Sequence, residues 1–355
     1  MQHKVGYIGF GGMGGGYHVD VARREDVPFE PVAAYDLNPD KREIARSKGL
    51  VTFDTLQEFL DSRMFDFVVV ATSNQFHCPM TCAALEAGYN VMCEKPVAMS
   101  SEEVQRMIDA SKKSGKLFTV HHNRRWDRDF MIVKQSIENG DIGMPYMLEN
   151  RVHSADGAGY MNGWRAFSDH GGGMLVDWGI HMLDQVLYLV KEPIKTVSAN
   201  IRSICSEEVD DYSKVIITFE SGLVAQVEVT TYSPIALPKW LAYGDRGALI
   251  VPDFSGNNAY VRRMKEDHFF HTQELAYTDA DISKRPQRKH AVDEWEKFDI
   301  PQSPIPQDWA SLYKNVGAAI DGTEELIVKP AEVLRCYKVI EAAKKSAKEG
   351  VTVQF

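Results

Sequence analysis

The sequence predicts an α/β fold in which a doubly wound parallel sheet precedes an α+β domain with a mostly antiparallel sheet. Over residues 1–122, short apolar runs alternate with helical patterns, which is the order of parallel strands joined by crossover helices. A cluster of glycines directly follows the first apolar run. After residue 123 the pattern changes to longer runs with two-residue alternation, which is typical of antiparallel strands. We therefore expect two domains, residues 1–122 and 123–355.

The composition is that of a globular protein. The chain has 355 residues, of which 44% are hydrophobic and 25% charged, and this length suits two domains of roughly 150 residues each. Its net charge of −10 argues against binding to nucleic acid or to an anionic membrane. No apolar run approaches the roughly 18 residues of a membrane span, and the chain begins directly with a strand, so no signal peptide is predicted. The five cysteines lack C-x-x-C spacing, which is typical of reduced thiols in the cytoplasm.

In the first domain, glycines and capping residues delimit the predicted elements. Strands are predicted at residues 5–8, 32–35, 51–53, 67–71, 90–93 and 117–120, and helices at 40–47, 55–62, 79–87 and 102–114. Serines and acids open the helix at 102, while Gly49, Gly88 and Gly115 fall where helices should end. Ligands of such sheets bind at the carboxyl ends of the strands, so the loops that follow the strands are the candidates for chemistry.

In the second domain, the strands dominate. Helices are predicted at 130–138, 173–190, 309–321 and 330–348, and strands at 145–153, 197–204, 213–220, 223–232, 240–243, 248–251 and 259–263. The turn at Glu220-Ser-Gly222 lies between two alternating runs and predicts a hairpin. Residues 280–307 are rich in Pro, Lys, Arg and Gln and are expected to form a long surface excursion.

The glycines after the first strand have the spacing G-x-G-x-x-G of a dinucleotide-binding turn. Gly9 permits the tight turn, Gly11 lets the backbone approach a pyrophosphate, and Gly14 lets a helix pack against the strand. Such a cluster can also be an ordinary turn. However, the second strand ends in Asp36, where an acid that binds the ribose hydroxyls is expected. We therefore predict cofactor contacts along the whole loop, which also contains Phe10, Gly12 and Met13.

Asp36 also favours NAD over NADP. A carboxylate at this position hydrogen-bonds the ribose diol and repels a 2′-phosphate. The next residues, Leu37, Asn38 and Pro39, include no arginine that could receive a phosphate.

Two groups of residues could carry out chemistry beside a dinucleotide. Lys95, in Glu94-Lys95-Pro96, follows the fifth strand and could donate to a developing alkoxide, although it could also be a solvated surface lysine. Asp177 and His181 lie four residues apart on a predicted helix, so their side chains share a face. The histidine could remove a hydroxyl proton, and the carboxylate could orient the histidine or hold the substrate.

Other interpretations of this pair remain open. Asp177 and His181 could form a surface salt bridge, or half of a metal site completed by His170 or His153. No other ligand pair has a matching spacing and a nicotinamide cofactor makes a metal unnecessary, so we predict no metal.

Further candidates for substrate binding lie after the first domain. Asn123 and Arg124 open the second domain, where a substrate could be clamped, and the neighbouring arginines could instead pair with Asp127 or Asp129. Trp164 and Arg165 follow a glycine-rich loop and suit a polyhydroxylated ring through stacking and forked hydrogen bonds. A buried Trp beside a surface Arg is the alternative. His153 and Tyr160 are weaker candidates of the same kind.

These motifs together resemble the glucose–fructose oxidoreductase / inositol dehydrogenase (Gfo/Idh/MocA) family over essentially the whole chain. The resemblance is carried, in order, by Gly9-x-Gly11-x-x-Gly14, Asn74-x-x-His77, Glu94-Lys95-Pro96, Asn123-Arg-Arg-Trp-Asp127 and Asp177-x-Gly179-x-His181-x-x-Asp184. It implies a Rossmann domain and a second domain with a large open sheet, whose face serves as the interface of a homodimer or homotetramer. It also implies that the helix at 330–348 returns toward the first domain.

The activity implied by the resemblance is hydride transfer between a nicotinamide cofactor, NAD by the argument from Asp36, and a ring hydroxyl of a sugar, glycoside or inositol-like cyclic polyol. Lys95, Asp177 and His181 match the family's catalytic set, and the same three with Arg124, His153, Trp164 and Arg165 are the expected substrate contacts. The cofactor contacts are the glycine loop, Asp36, and Thr72, Ser73, Asn74, His77, Glu94, Lys95 and Asn123. Two alternatives are an NAD-retaining glycosidase that oxidises the sugar transiently, and a catalytically silent nucleotide-binding regulator.

Overall fold

The first sheet has the strand order of a Rossmann fold. A computed structural model of the chain describes residues 2–265, 295–300 and 307–355. Its first sheet has six parallel strands in the order β3-β2-β1-β4-β5-β6. The strands are β1 His3–Ile8, β2 Phe29–Tyr35, β3 Val51–Phe53, β4 Phe67–Val70, β5 Asn90–Cys93 and β6 Phe118–Val120. The predicted parallel, doubly wound sheet is therefore confirmed.

The register of this sheet sets where the functional loops lie. Ile8 pairs with both Tyr35 and Val70, Val70 with Cys93, and Cys93 with Val120. The residues that follow these strand ends consequently lie side by side along one edge: Gly9, Asp36, Ala71, Glu94 and His121. The glycines, Asp36 and the Glu-Lys-Pro turn lie along this edge because each directly follows a strand of this sheet.

The helices of the first domain begin at capping residues. They are α1 Val19–Ala22, α2 Pro39–Ser47, α3 Leu56–Asp61, α4 Asn74–Glu86 and α5 Ser101–Ser114. Thr55 and Glu58 form a reciprocal capping box, which satisfies two otherwise unpaired N–H groups of α3. Gly115 ends α5 in the left-handed conformation that glycine adopts at low cost. Helix α4 begins before the predicted residue 79, and Pro79 lies inside it.

The second sheet is mostly antiparallel, as predicted. Among the described residues it has nine strands, in the order β14-β13-β12-β11-β7-β10-β9-β8-β15, and only β7 and β10 are parallel neighbours. They are β7 Pro145–His153, β8 Ile194–Arg202, β9 Tyr212–Phe219, β10 Val224–Thr230, β11 Trp240–Gly244, β12 Gly247–Val251, β13 Tyr260–Met264, β14 Trp295–Asp299 and β15 Val353–Gln354. The hairpin predicted at Glu220-Ser-Gly222 joins β9 to β10. Strand β14 falls within the predicted surface excursion, whose remaining residues 280–294 and 301–306 lie outside the described residues.

Three helices cover one face of the second sheet: α6 Arg128–Glu138, α7 Ile180–Leu189 and α9 Pro330–Glu349. Helix α8 Ala310–Ile320 instead contacts the first domain, where Tyr313 packs against Phe29. Helix α9 contacts the first domain as well: Tyr337 accepts a hydrogen bond from Ala98 N at 3.0 Å, and Glu341 accepts one from Ser101 N at 2.7 Å. The loop that follows Lys95 is thereby tied to α9. None of the helices within the described residues is long and apolar enough to cross a lipid bilayer.

Candidate active site

The glycine loop leaves the space that a pyrophosphate would need. A Cβ on Gly14 would lie 2.1 Å from the Gly9 carbonyl oxygen, so only glycine allows this close packing. A Cβ on Gly11 would meet no atom within 4 Å. The chain then enters a π-helical segment, Gly12–His18, which continues into α1. The first N–H groups of a helix have no partner within the helix and are suited to binding phosphate. These features fit a dinucleotide, whose phosphates the backbone of the loop would hold.

The loop and the helix after it contain three glycines beyond the G-x-G-x-x-G spacing, namely Gly12, Gly15 and Gly16, and packing explains one of them. A Cβ on Gly15 would lie 2.7 Å from the ring of Phe10, which packs in the core. Gly12 and Gly16 have no neighbour within 4 Å of such an atom. We have no packing explanation for those two.

Asp36 is held in place by the backbone around it. Its carboxylate accepts hydrogen bonds from Phe10 N at 2.7 Å and from Asn38 N at 2.8 Å. Arg42, one turn into α2, donates to the carbonyl oxygen of Asp36 at 2.7 Å. A guanidinium therefore lies beside the predicted ribose position, although the three residues after Asp36 offer none.

A cavity of about 320 Å³ joins the glycine loop to Asp36. It includes five of the predicted cofactor contacts: Gly9, Gly11, Asp36, Thr72 and Ser73. Phe76 and Met80 of α4 also line it, and no sequence motif pointed to them. Trp164, which we predicted as a platform for substrate, lines this cavity too. Its position supports a contact with the nucleotide.

Several predicted cofactor contacts have other partners in this structure. The side chain of Phe10 is buried, so only its backbone faces Asp36, whereas Met13 is exposed. Asn74 donates to the His170 carbonyl at 3.0 Å. The ring nitrogens of His77 lie 2.7 Å and 3.0 Å from the carbonyl oxygens of Pro96 and Thr72. Asn74 and His77 thus connect the loops around the cofactor edge.

Glu94 is the centre of a buried hydrogen-bond network. One carboxylate oxygen accepts from His18 Nε2 at 2.8 Å and from His121 Nδ1 at 2.7 Å, and the other accepts from Lys95 N at 2.9 Å. Tyr313 of α8 bonds the second nitrogen of His18. Burial alone would raise the pKa of Glu94, but His121 and His18 outweigh it and hold that pKa well below its ordinary value. Glu94 therefore braces the turn that carries Lys95 against the helix after the glycine loop.

His18, Glu94 and His121 also form the one metal-like cluster found among the described residues, with ligand atoms within 4.8 Å of one another. Both imidazole nitrogens bond the same carboxylate oxygen at 2.7–2.8 Å. Neighbouring ligands of tetrahedral zinc lie about 3.3 Å apart. The short distances therefore favour hydrogen bonds.

Lys95 and Arg165 converge on the carboxylate of Asp177. Lys95 Nζ donates to Oδ1 at 2.8 Å and to the Asp177 carbonyl at 3.2 Å, while Arg165 Nε donates to Oδ2 at 2.7 Å. Burial opposes ionisation, but Lys95 and Arg165 hold the pKa of Asp177 below its ordinary value. The carboxylate is therefore occupied by two cations, and it makes no hydrogen bond to His181. A lysine has three donors, so one N–H of Lys95 remains for a substrate oxygen.

His181 is the second residue of the regular helix that follows the π-helical turn Leu175–Gly179, which carries Asp177. It is buried, and its Nδ1 has no hydrogen-bond partner among the described residues. Burial first, and then the positive charges of Lys95 and Arg124, place the pKa of His181 well below its ordinary value. This shift favours the unprotonated imidazole, which is the state that a general base requires.

Arg124 lies among three aromatic rings beside this group. Its guanidinium carbon is 4.3 Å from the ring centre of Trp178, 5.4 Å from that of Phe254 and 5.6 Å from that of Trp309. Its Nη1 donates to Asp127 at 2.7 Å, and Asp127 also accepts from Trp309 Nε1 at 2.6 Å. Trp178 and His181 have ring centres 6.3 Å apart, so Arg124 adjoins the site.

Two residues of the sequence prediction lie elsewhere. Asp184 is buried and pairs with Arg125 at 2.6 Å, so it supports α7 and does not face the site. His153 lies 3.7 Å from Glu228, on the face of β7 opposite Asn150, whose side chain bonds Gln185 of α7. Because side chains alternate along a strand, His153 points away from the helices that carry Asp177 and His181. We therefore leave His153 out of the proposed site.

A dinucleotide cavity at the carboxyl edge, together with the Lys95, Asp177 and His181 group, defines a nicotinamide-dependent oxidoreductase. Residues 3–122 match the sequence model of the oxidoreductase family with an NAD-binding Rossmann fold, and residues 130–250 match that of the GFO/IDH/MocA C-terminal domain. The chain therefore belongs to the Gfo/Idh/MocA family of oxidoreductases.

Known proteins resemble the chain along its whole length or in part. A scyllo-inositol 2-dehydrogenase (NADP(+)) of Bacillus subtilis is 26% identical over 366 residues, which cover 99% of this chain and 96% of that protein. A D-glucoside 3-dehydrogenase of Escherichia coli is 32% identical over 202 residues, covering 56% and 57% respectively. Among solved structures, an NAD-binding protein from Listeria innocua has a TM-score of 0.85 at 36% identity, covering 100% of this chain and 97% of its own.

Proposed function

We propose that this oxidoreductase transfers a hydride between NAD and a ring hydroxyl of a sugar, glycoside or cyclic polyol. The observation that carries the proposal is the position of Lys95, which is bonded at 2.8 Å to the buried Asp177, one helical turn before the buried His181. Relatives that are named inositol and glucoside dehydrogenases support a polyhydroxylated ring as the substrate.

The residues divide the work on the substrate hydroxyl as follows. The third N–H of Lys95 donates to the hydroxyl oxygen and stabilises it as the proton leaves. Asp177, held by Lys95 and Arg165, keeps the ammonium in position. His181 accepts the hydroxyl proton, because its lowered pKa keeps it unprotonated. The nicotinamide, when bound, accepts the hydride from the same carbon.

The test is NADH formation across a panel of inositols, aldoses and glycosides. In His181→Ala, kcat should fall by about 10²–10⁴-fold, the typical contribution of a general base, while the Kd for NADH changes by less than about 3-fold. His170→Ala is the matched control, because His170 is exposed and bonded to Asp169. Unchanged turnover in His181→Ala would exclude the assigned role. Release of an aglycone without net NADH would indicate the NAD-retaining glycosidase instead.

We further propose that NAD is preferred over NADP because the Asp36 carboxylate would repel a 2′-phosphate. Arg42 works against this preference, since its guanidinium is bonded to the Asp36 carbonyl. In Asp36→Asn, the Kd for NADH should rise by roughly 10-fold, as expected for losing a charge-assisted hydrogen bond, and the Kd for NADPH should fall. Fluorescence titration measures both values, with exposed Glu43→Gln as the control. Tighter NADPH than NADH binding in the natural protein would contradict the proposal.

A homo-oligomer formed through the open face of the second sheet remains our proposal. Strand register places Leu241 beside Ile250, and both are half-buried side chains on the face opposite the buried Ala242 and Leu249. Light scattering should therefore give a mass of two or four chains, and a monomer would contradict the proposal.

A further inference from the structure

The ion pairs of the site share one arrangement, in which the cation is open and the carboxylate is buried. Lys95 and Arg165 are 19% and 30% exposed, whereas their partner Asp177 is 1% exposed. Arg124 is 19% exposed and its partner Asp127 is 2% exposed. The surface that a substrate would meet is therefore positive, even though each cation has a counter-ion beneath it.

The same positive charges lower the pKa of the buried His181. After burial, Lys95 and Arg124 are the largest influences that lower the pKa of His181, and no carboxylate is among its main influences. Negative charge brought beside His181 would therefore lie near the cations Lys95 and Arg124. An anionic group on the substrate is the complement of this arrangement.

Of the three cations, Arg124 is the one whose geometry suits a carboxylate. Lys95 is required at the reacting oxygen, and Arg165 follows Trp164, which lines the nucleotide cavity. Asp127 engages only Nη1 of Arg124, and the Nε and Nη2 donors make no hydrogen bond among the described residues. These two donors form the flat edge that binds a carboxylate with two parallel hydrogen bonds.

The aromatic rings fix the position of the Nε and Nη2 edge of Arg124 before a ligand binds. Trp178, Phe254 and Trp309 come from three separate segments and surround the guanidinium at 4.3–5.6 Å. A flexible arginine loses rotamer entropy when it binds a ligand, whereas a packed one has already lost it on folding. Three cation–π contacts on one side chain therefore favour a binding role.

Building on the proposed oxidoreductase function, we propose that the substrate is a sugar acid, and that Arg124 binds its carboxylate while Lys95 and His181 act on a ring hydroxyl. The chemistry is unchanged: the secondary alcohol loses a hydride to NAD and a proton to His181, and becomes a ketone. The carboxylate takes no part in the reaction and only orients the ring.

The experiment compares acid and neutral forms of the same ring. D-glucuronate and D-glucose, D-galacturonate and D-galactose, and methyl α-D-glucuronide and methyl α-D-glucoside are assayed as pairs, with D-glucose 6-phosphate as a second anion. The natural enzyme should favour each acid over its neutral partner. In Arg124→Gln, the ratio of kcat/KM for each acid to kcat/KM for its neutral partner should fall by roughly 10- to 100-fold.

Two further variants make the result specific. Arg124→Lys keeps the charge and loses the planar edge, so the acids should retain only part of their advantage. Arg106→Gln, an exposed arginine on α5, should leave every ratio unchanged. Thermal unfolding and NADH titration of each variant separate misfolding or a damaged cofactor site from a lost substrate contact.

The outcomes distinguish this inference from the function on which it rests. If the neutral partners are oxidised as well as the acids, or if glucose 6-phosphate is preferred to the uronates, the carboxylate proposal is wrong and the dehydrogenase function stands. If Arg124→Gln lowers acids and neutral sugars equally, Arg124 does not bind the carboxylate. If no pair is oxidised but an inositol or another neutral ring is, only the carboxylate proposal fails. If neither the pairs nor the wider panel of inositols, aldoses and glycosides is oxidised, both proposals fail.

Discussion

At the residue scale, the environment of His181 sets the pH at which the proposed reaction slows. A general base must be unprotonated, and the pKa of His181 lies well below 6.5 because of burial and the charges of Lys95 and Arg124. The rate of alcohol oxidation should therefore hold as the pH falls through 6.5, and decline only at lower pH.

Removing the charge of Arg124 should change the pH at which the rate of alcohol oxidation declines. In Arg124→Gln the pKa of His181 should rise toward its ordinary value, so the acid limb of kcat/KM with a neutral substrate should move to higher pH. The measurement is the pH profile of both enzymes with the same sugar, and Arg106→Gln should reproduce the natural profile. An acid limb that stays in place would mean that Arg124 exerts no field on the base.

Sequence reasoning at this scale identified residue types better than it identified partners. Lys95 bonds Asp177, and His181 lies one helical turn beyond that carboxylate, because these positions follow from one strand end and from spacing along one element. The expected orientation of His181 by Asp177 is absent, since Lys95 and Arg165 already occupy that carboxylate. The partners of Arg124 could not be predicted, because Trp178, Phe254 and Trp309 are far from it in sequence.

At the element scale, three glycines of one loop should respond differently to the same added methyl group. In Gly14→Ala the Cβ would lie 2.1 Å from a backbone oxygen, so the protein should lose roughly 1–3 kcal/mol of stability. In Gly11→Ala the Cβ meets nothing, so stability should hold, but the methyl group enters the cavity and NADH binding should weaken. Gly16→Ala should keep binding and gain up to about 1 kcal/mol of helix propensity.

Thermal unfolding and NADH titration of the three variants measure these two effects separately. Equal NADH affinity in Gly11→Ala and in the natural protein would show that the phosphates do not approach this position. Equal stability in Gly14→Ala would mean that the loop relaxes around the new atom.

Helices and strands could be predicted where capping residues or a hydrophobic periodicity mark them. They were harder to predict where the backbone hydrogen bonds depart from the α-helical pattern. The capping residues before α3 and α5 are visible in the sequence, and the strands of the first sheet follow from apolar runs. The π-helical turns at Gly12–His18 and Leu175–Gly179 give no comparable signal, because their residues also suit an α-helix. Strand β14 was not predicted, because it lies in a polar segment and its side chains are mostly exposed.

At the scale of the whole molecule, the fold class was predictable because it depends on the order of strands and helices. Contacts between distant segments were not, because each needs two positions whose meeting the local pattern does not encode. Arg125 is the clearest case. The sequence suggested pairing with a neighbouring aspartate, but Arg125 bonds Asp184 of α7 at 2.6 and 2.8 Å and Glu332 of α9 at 2.8 Å.

This buried ion pair should be a main determinant of stability. Arg125 and Asp184 are each 2% exposed, so Arg125→Met would leave a carboxylate buried without its partner. The free energy of unfolding should fall by about 3–5 kcal/mol, and Asp184→Leu in the same chain should restore part of it. The exposed pair of Lys134 and Glu138 on α6 is the control, because Lys134→Met should cost less than about 1 kcal/mol.

The effect of Arg125→Met should also depend on pH in a defined direction. Although burial opposes it, Arg125 holds the pKa of Asp184 below its ordinary value of 3.8. A lowered folded-state pKa contributes stability that is fully present above the unfolded pKa and is lost as the pH falls through the folded one. Urea unfolding at neutral pH should therefore separate the two proteins widely, and unfolding at more acid pH should bring them together. A difference in unfolding free energy that is small at neutral pH, or that grows as the pH falls, would mean that Arg125 and Asp184 do not stabilise the protein as an ion pair.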